Sequence, residues 1–481
     1  MSAYSTGLPS EMRAENLNAS LPEGSYAKNV RIQPTNLQTV VSPITTLPAT
    51  AAVMPDAPQN VQTLNFDVPS GNYGDWIDVR QSSIQFRAVY AVQSAGTSNV
   101  VASANLRSSG ASFFDKMEVM GPNGTAIESI GEYGVIMDTL VNFQQSNSVR
   151  DGVGVMMGYE SGTAITSVGH AIPALTGTIA SGSTQSNSYC LPLLSGVLGF
   201  TSEKFFPIGA VPKLQCQLTT SAVLPLTIYG TSGTAGTFTV TLTDFVLNLV
   251  YINIPAQAQK MLESSLHEGK YFLGSTTWRA TSANLPAGSA GFNSVLTGLR
   301  GSSVKSIFAR FAQSGSAAAN WNGKYNSYNP NLQTIAFNFS GVRYPPIPTE
   351  VLVNPARAFC ETSRAFGNFN STELVCSVPA ANYAALSAGS TAQGLSNTAQ
   401  DYLWNVPSGA VAQNLFVYGT SLATCNKYGI LNGLNINSAT GYLELQIAGS
   451  GPTYQHTAYV IGALDQIIIV DAATGQCDVR I

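Results

Sequence analysis

The sequence predicts an all-β fold in which two strand-rich blocks flank one short helix. Three observations lead to this prediction. Apolar and polar residues alternate along many short segments, the loops between them are long and rich in Gly, Ser, Ala, Asn and Thr, and helical patterns are few. No short-period repeat of the solenoid or propeller kind is present. Long loops on an all-β scaffold favour a sandwich, and the jelly roll in particular.

Residues 1–60 are predicted to form an extended N-terminal arm. They show no sustained periodicity, and proline fits neither a helix interior nor a central strand. Two interpretations are open for such an arm, a flexible tail or a segment that lies across a neighbouring subunit. The prolines of this region are Pro9, Pro22, Pro34, Pro43, Pro48, Pro55 and Pro58.

Residues 61–254 form the first predicted block of strands. Leu64-Asn-Phe-Asp-Val alternates, Gly71, Asn72 and Gly74 mark a turn, and Trp76-Ile-Asp-Val follows. The run Thr237–Ile254 is long enough for a helix, but its Val, Thr, Phe, Leu and Tyr content favours β structure. The remaining strand-like segments are Ser83–Tyr90, Phe113–Met120, Cys190–Leu194, Lys213–Leu218 and Leu224–Tyr229.

Residues 255–269 are predicted to be a helical connector. Pro255 precedes the segment Ala256–His267, and Gly269 offers a C-terminal stop. Four apolar residues lie roughly on one face of this helix: Ala258, Met261, Leu262 and Leu266. Two further short helical candidates are Glu132–Phe143 and Glu350–Ala365.

Residues 270–481 show the same pattern of short strands and long loops as the first block, and they form the second predicted domain. Strand-like segments begin again directly after the connector, at Tyr271-Phe-Leu and Thr277-Trp-Arg. The later strand-like segments are Ser303–Ala312, Thr334–Phe339, Leu415–Tyr418, Tyr442–Ile447, Tyr459–Ile461 and Ile467–Val470. The chain therefore looks like a coarse duplication around one connector.

The low charge of the chain indicates an assembly protein. Only 10% of its 481 residues are charged, whereas about 25% is usual for a soluble domain. A surface that is hidden against neighbours can use uncharged polar groups, but a free monomer normally uses mixed charges to stay soluble. The net charge of −4, with Arg13, Lys28 and Arg31 as the bases of the first 60 residues, gives no reason to expect nucleic-acid binding.

Targeting signals and disulfides are not expected. Met1–Ser20 contains no apolar core of a secretory signal, and no apolar run approaches the length of a membrane span. The six cysteines, at positions 190, 216, 360, 376, 425 and 477, form no C-x-x-C pair. We interpret them as reduced and mostly buried thiols.

Catalytic, cofactor-binding and metal-binding residues are not predicted anywhere in the chain. His170, His267 and His456 lie in separate segments, and no lipase-type G-x-S-x-G motif is present. Gly269-Lys270 and Gly323-Lys324 lie outside any phosphate-binding loop motif. Asp75 with Asp78, or Glu361 with Glu373, could form an acid–base pair. This signal is weak, because any two of the 26 carboxylates could do the same. Asp75, next to Gly74, is better explained as a turn residue. Trp76, Trp278, Trp321 and Trp404 are widely spaced, which favours core or interface roles over a carbohydrate-stacking strip.

Taken in order, several stretches resemble the double jelly-roll major capsid proteins of double-stranded DNA viruses, in particular the polinton-like, virophage and giant-virus branch. The order and spacing of these stretches carry the resemblance, which extends over most of the chain beyond residue 60. They are Phe66-Asp-Val-Pro, Trp76-Ile-Asp-Val-Arg-Gln-Ser-Ser-Ile-Gln-Phe, Leu191-Pro-Leu-Leu-Ser-Gly-Val-Leu, Lys204-Phe-Phe-Pro-Ile, Leu214-Gln-Cys-Gln-Leu, Asp244-Phe-Val-Leu-Asn-Leu-Val-Tyr, Ser302-Ser-Val-Lys-Ser-Ile-Phe, Gly341-Val-Arg-Tyr-Pro and Ile467-Ile-Ile-Val-Asp.

The resemblance implies two consecutive eight-stranded antiparallel jelly rolls and a structural virion protein without enzymatic activity. Such a subunit would form a homotrimer, a pseudo-hexagonal capsomer that tiles an icosahedral shell around a DNA genome. Its partners would be neighbouring capsomers, penton and minor or cement proteins and, where one is present, an internal membrane. Sequence-specific nucleic-acid binding is not implied. The protein would be made in the host cytoplasm or nucleus, without secretion, and would reside in the virion.

Two alternatives remain open from the residues alone. A carbohydrate-binding or adhesive β protein could share the Ser-, Thr- and Asn-rich loops, although such a protein would be exported. A glycoside hydrolase on a β scaffold is the other, and no residue pattern specifically supports it.

Overall fold

In the computed structural model of the chain, the described residues are 21–44, 53–54, 58–94, 100–106, 109–144, 154, 156–158, 170–171, 184–202, 204–231, 236–296, 298–313, 324, 327, 329–367, 416–423, 432–437, 440–449, 452 and 455–481. Strands dominate these residues, and three α-helices accompany them: α1 (Tyr133–Gln144), α2 (Ala256–Ser264) and α3 (Pro355–Ala365). None of the described helices is long and apolar enough to cross a membrane.

Fourteen described strands belong to the first half of the chain. They are β1 (Tyr26–Ile32), β2 (Thr39–Ile44), β3 (Val53–Met54), β4 (Thr63–Val68), β5 (Asp75–Ile77), β6 (Ser83–Ser94), β7 (Val100–Leu106), β8 (Phe114–Met120), β9 (Ala126–Gly131), β10 (His170–Ala171), β11 (Thr184–Pro192), β12 (Leu214–Thr220), β13 (Leu226–Thr231) and β14 (Gly236–Asn253).

Nine described strands belong to the second half. They are β15 (Lys270–Leu285), β16 (Gly291–Val295), β17 (Val304–Gln313), β18 (Leu332–Phe339), β19 (Val342–Glu350), β20 (Val417–Ser421), β21 (Gly441–Ile447), β22 (His456–Asp471) and β23 (Cys477–Arg480).

Each half contains eight strands with the same antiparallel sheet topology. In the first half the sheets run β1-β14-β6-β11 and β4-β12-β8-β9, and in the second half they run β15-β22-β17-β20 and β16-β21-β18-β19. If the eight strands of either half are numbered along the chain, both halves read 1-8-3-6 in one sheet and 2-7-4-5 in the other. This is the strand order of a jelly roll, so the prediction of two consecutive eight-stranded jelly rolls is confirmed.

The two jelly rolls differ in what is added to this shared plan. In the first, β2 and β5 also pair with β14, and β10-β7-β13-β3 form a small additional sheet. In the second, β23 is the one added strand among the described residues, and it pairs with β22.

Alternating side chains build the interior of each jelly roll. Leu64, Phe66 and Val68 of β4 point inward and are buried, whereas the residues between them are half-buried. The same alternation runs along β12 and β21. Because successive side chains of a strand point to opposite faces, one face of each sheet is apolar and closes the core.

The region predicted as an N-terminal arm contributes strands to the first jelly roll. β1 pairs with β14 from Tyr26↔Asn253 to Ile32↔Leu247, and β2 pairs with the same strand from Phe238↔Ile44 to Thr243↔Thr39. Pro34 falls between the two strands, and Pro43 sits in β2, which is paired on one side only among the described residues. Prolines are tolerated at such edge positions, which is why their frequency misled the prediction. Residues 1–20 lie outside the described residues.

The connector between the jelly rolls contains the predicted helix in shortened form. α2 begins at Ala256, directly after Pro255, and ends at Ser264, and a turn through Gly269 (φ +69°) leads into β15. The second helical candidate corresponds to α1 almost residue for residue. The third, Glu350–Ala365, is helical only from Pro355, where the Asn354 side chain caps the helix by accepting from the Arg357 N–H.

Candidate functional site: the contact between the two jelly rolls

The residues considered for catalysis or metal binding lie apart in the fold. His170 is in β10, His267 is exposed after α2, and His456 is buried at the start of β22. No group of three or more His, Cys, Asp or Glu residues that could hold a metal ion occurs among the described residues.

The carboxylates considered as acid–base pairs serve local structure where they are described. The Asp75 carboxylate accepts from the Asn72 N–H at 2.7 Å, and Asp78 accepts from the Arg80 N–H and the Gln81 amide at a 3-10 turn. Glu361 lies on α3, and Glu373 and Gly323 lie outside the described residues.

The cysteines of the described residues, Cys190, Cys216, Cys360 and Cys477, are all free thiols. Burial raises the pKa of Cys216 and of Cys477 to about 12, so neither thiol is activated as a thiolate near neutral pH. Cys376 and Cys425 lie outside the described residues, as do Trp321 and Trp404.

Polar side chains join the two jelly rolls at several points. At the connector, the Trp76 indole N–H donates to Gln259 Oε1 at 2.9 Å, and the Gln259 amide donates to the Tyr271 hydroxyl at 3.0 Å. Trp76 belongs to the first half, Gln259 to α2 and Tyr271 to the second half. The Trp76 and Tyr271 rings also meet edge to face, with centroids 5.3 Å apart. One glutamine thus joins all three parts of the chain.

A buried carboxylate, Glu128 of β9, forms a second link. It accepts from the Ser195 hydroxyl, from the Gly196 N–H at 2.9 Å and from the Thr277 hydroxyl at 2.8 Å. Thr277 is in β15, so this last hydrogen bond crosses from one jelly roll to the other. Burial raises the pKa of Glu128, and the hydrogen bonds it accepts oppose that rise.

Gly196 allows the close approach of the two halves at this link. A Cβ atom at this position would lie 2.7 Å from Ser275 Oγ and 3.0 Å from the Thr276 carbonyl oxygen, both in β15. Since real Cβ atoms do not approach other atoms to 2.7 Å, a side chain at position 196 would force β15 or the Ser275 side chain to shift.

A buried ion pair forms the third link. Arg310 of β17 is 1% exposed, and its guanidinium donates to Asp138 Oδ2 at 2.8 Å, to the Thr139 hydroxyl at 3.2 Å and to the Val135 carbonyl oxygen at 3.3 Å. All three acceptors are on α1 of the first half. Because the planar guanidinium binds three acceptors of one helical turn, it fixes the orientation of α1 against β17.

A fourth link is Lys324 of the second half. Its ammonium lies 2.5 Å from Asp115 Oδ1 and 2.6 Å from Glu132 Oε2, both in the first half. Burial lowers the pKa of Lys324, but the Glu132 and Asp115 carboxylates outweigh this effect and raise it overall. The ammonium is thus held in its charged form between two carboxylates.

Aromatic stacking completes the contact. Phe366, at the end of α3, stacks on Phe308 of β17 with centroids 4.1 Å apart and on Phe143 of α1 with centroids 4.9 Å apart. The stack passes from the second half into the first. The contact is therefore apolar at this point and polar around Glu128, Arg310 and Lys324.

Sequence reasoning did not find these linking residues. Arg310 and Asp138 are 172 positions apart, and neither belongs to a spacing pattern. Arg310 does interrupt an apolar strand, between Ala309 and Phe311, and a lone arginine there is the one sequence signal that could have pointed to a buried partner. Lys324 was considered only as part of a Gly-Lys pair.

The fold matches solved structures of viral proteins at low sequence identity. PBCV-1 VP54, fitted into a cryo-EM reconstruction of the virophage Sputnik, is 11% identical, with a TM-score of 0.53 over 96% of this chain and 98% of that chain. The major capsid protein of mavirus is 11% identical, with a TM-score of 0.50 over 96% of this chain and 91% of that chain.

No protein-family model matches the sequence, and no curated protein matches it either. At this level of identity the structural matches establish the fold. The resemblance to double jelly-roll major capsid proteins is thus confirmed as a resemblance of fold: this chain is a double jelly roll.

Proposed function

We propose that the protein is a major capsid protein, a structural component of the virion that acts through shape and self-association and not through turnover. The observation that carries the proposal is the pairing of two complete jelly rolls with identical strand order, joined by one short connector. Mavirus uses a chain of this fold as its major capsid protein. Three copies of a two-barrel subunit would present six similar barrels, which suits a pseudo-hexagonal capsomer.

The contact between the jelly rolls supports this role. A shell subunit must transmit its orientation to its neighbours, so its two barrels must not swing independently. The buried links at Glu128 and Arg310 and the partly buried link at Lys324 oppose such motion because each one has demanding geometry.

An exposed apolar surface on the second jelly roll provides a place for self-association. Its exposed apolar side chains are Val342 and Ile347 of β19 and Val353 of the turn that follows, which are 54%, 69% and 75% exposed. Burying such side chains against a second copy of the chain would be favourable. β19 forms the end of its sheet and contains Pro345, Pro346 and Pro348, which have no N–H to donate. A second copy of the chain would therefore pack against side chains here and would not add a strand.

The wider assembly follows from the same proposal. The trimers would contact neighbouring capsomers in an icosahedral shell, together with penton and minor or cement proteins and an internal membrane where one is present. The net charge of −4 suits a shell that encloses a DNA genome without sequence-specific binding to it. The protein would be made in the host cytoplasm or nucleus and reside in the virion.

Light scattering coupled to size-exclusion chromatography tests the proposal, followed by negative-stain electron microscopy. We expect trimers at micromolar concentration and hexagonal arrays of trimers under assembly conditions. Ile347→Asp should reduce the trimer to monomers, because it places a charge in the apolar surface. Val61→Asp, at a 54% exposed position of the first half, is the matched control and should leave the trimer intact. A wild-type protein that stays monomeric would contradict the proposal.

A further inference from the structure

Lys324 of the second half is held between two carboxylates of the first. Its Nζ lies 2.5 Å from Asp115 Oδ1 and 2.6 Å from Glu132 Oε2. Its side chain is 17% exposed, whereas the other ion-paired lysines of the described residues are 34–44% exposed. Each of those lysines meets a single carboxylate; they are Lys116, Lys270 and Lys305. At Lys324, an amine, a carboxyl group that it could join and a second carboxylate that could carry protons therefore meet at one partly buried point.

The fold places the two carboxylates side by side. Lys116 pairs with Gly131 in the β8–β9 ladder, so Asp115 and Glu132 lie directly beyond the end of this ladder. Glu132 has a φ of +53°, a left-handed conformation that is unfavourable for a residue with a side chain, and such strain is common at functional positions. Its Oε2 atom, the one near Lys324, is buried from solvent. This oxygen therefore faces the lysine and not water.

We propose that Lys324 and Asp115 form an isopeptide bond, with Glu132 as the proton carrier. The Lys324 ammonium passes one proton to the Asp115 carboxylate, which leaves a neutral amine beside a carboxylic acid. The amine lone pair attacks the carbon of that acid, and Glu132 takes a second proton from the nitrogen. Glu132 returns this proton to the hydroxyl of the tetrahedral carbon, which leaves as water when the C–O bond breaks. One amide forms and one water is released, no oxidant or other reactant is needed, and Glu132 is restored.

The resting pair is charged, and the reaction draws on its minor neutral form. The two carboxylates raise the pKa of Lys324 overall, whereas burial acts in the opposite direction and favours the neutral amine. The low population of the neutral form is offset by permanent contact, because groups held in reacting geometry behave as if present at about 10⁵ M or more.

The bond would tie the two jelly rolls together covalently. Asp115 and Lys324 are 209 positions apart, so the link closes a long loop across the contact. A cross-link that closes a long loop restricts the unfolded chain strongly. All three side chains belong to one chain, so this inference does not depend on the proposed self-association.

Mass measurement of the purified full chain, denatured after prolonged incubation in the folded state, tests the proposal. Lys324→Arg keeps the positive charge without a reactive amine and gives the reference mass of a chain without the link. After allowance for the substitution itself, the wild type should be lighter than this reference by one water molecule. Proteolysis and tandem mass spectrometry should then find the peptide of Lys324 joined to the peptide of Asp115.

Two variants test the roles of the carboxyl groups. Asp115→Asn should form the same amide with release of ammonia in place of water, and this product separates a failure to react from a failure to fold. Glu132→Gln cannot carry the proton and should slow bond formation about a hundredfold or more. Lys305 is the internal control, because its Nζ also lies 2.5 Å from a carboxylate oxygen, that of Asp465, but it has no second carboxylate partner among the described residues. Lys305 should stay unlinked.

Four results would overturn the proposal. The wild type could keep its full mass, the link could join other residues, Glu132→Gln could form the bond as fast as the wild type, or Lys305 could be linked to Asp465 as well. The last two would show that contact alone is sufficient and that Glu132 carries no proton.

Discussion

The interior of each jelly roll and the contact between the two jelly rolls are held together by different physics. In the first interior, Phe86 lies 5.1–5.9 Å, centroid to centroid, from four other aromatic rings, those of Phe113, Phe114, Tyr189 and Phe245. At the contact, Arg310 and Glu128 are surrounded by directional polar partners.

This difference teaches what each region contributes. Apolar burial is non-directional and roughly proportional to area, so it supplies stability while tolerating small adjustments. A buried ion pair gains little net stability, because removing two charges from water offsets their attraction. We infer that the cores stabilise the barrels and that the polar links set the angle between them.

The largest effect is expected in the interior. Phe86→Ala should lower the free energy of unfolding by about 3–5 kcal/mol, the usual range for truncating a buried phenylalanine. Chemical denaturation at one fixed protein concentration measures this loss, because oligomer stability depends on concentration. Tyr26→Ala, at a 59% exposed position, is the control and should change the free energy far less. A similar loss in both variants would contradict the assignment of stability to the core.

The next largest loss of stability is expected at the buried ion pair, and a second substitution should restore most of it. Arg310→Met leaves Asp138 buried without its cationic partner and should cost about 3 kcal/mol. Adding Asp138→Leu removes the stranded charge, so the double variant should recover most of the loss in free energy of unfolding. Small-angle scattering should then show a changed angle between the jelly rolls. If the double variant is no more stable than the single one, the loss does not come from the stranded charge, and the ion pair itself stabilises the fold.

A smaller effect is expected at the connector. Gln259→Leu removes the hydrogen bonds to Trp76 and Tyr271 and should reduce the free energy of unfolding by about 1–3 kcal/mol. Gln257→Leu is the matched control, because Gln257 is exposed on the same helix. Equal stability of the two variants would show that the bridge through Gln259 is dispensable.

The smallest effect is the pH dependence of Glu128. Burial raises the pKa of this carboxyl in the folded chain above its unfolded value, so the folded chain holds the proton more tightly. Its contribution to stability is fully present below the ordinary carboxyl pKa and is lost as pH rises through the raised pKa. The unfolding temperature of wild type minus that of Glu128→Gln should therefore fall with rising pH above about pH 4. A difference that rises with pH would contradict this sign.

Much of the fold could be predicted because periodicity is a local signal. The alternation around Leu64 and Phe66, and the short helical patterns of α1 and α2, are visible within a dozen residues. Tyr459–Ile461 and Ile467–Val470 were read as two strands but belong to one, β22, because their nearly continuous burial hides the alternation. β2, which contains Pro43, and β19, which contains three prolines, were missed because a strand at a sheet edge tolerates residues that a central strand excludes.

The contact between the jelly rolls could not be predicted, since its partners meet only in the folded chain. Thr277 and Glu128 are 149 positions apart, and Lys324 and Asp115 are 209 apart. Each is an ordinary polar residue in its local sequence. Only the relative placement of two complete barrels brings them together, and no single-sequence pattern encodes that placement.

The three prolines of β19 also limit how copies of this chain can misassemble. An open sheet edge with a full set of N–H groups can be extended by a strand from another molecule, which is the route to fibrils. Without those donors, a mismatched encounter along this edge gains no continuous backbone ladder and separates again. Copies that collide at high concentration can therefore sample many orientations and keep only those whose side chains fit.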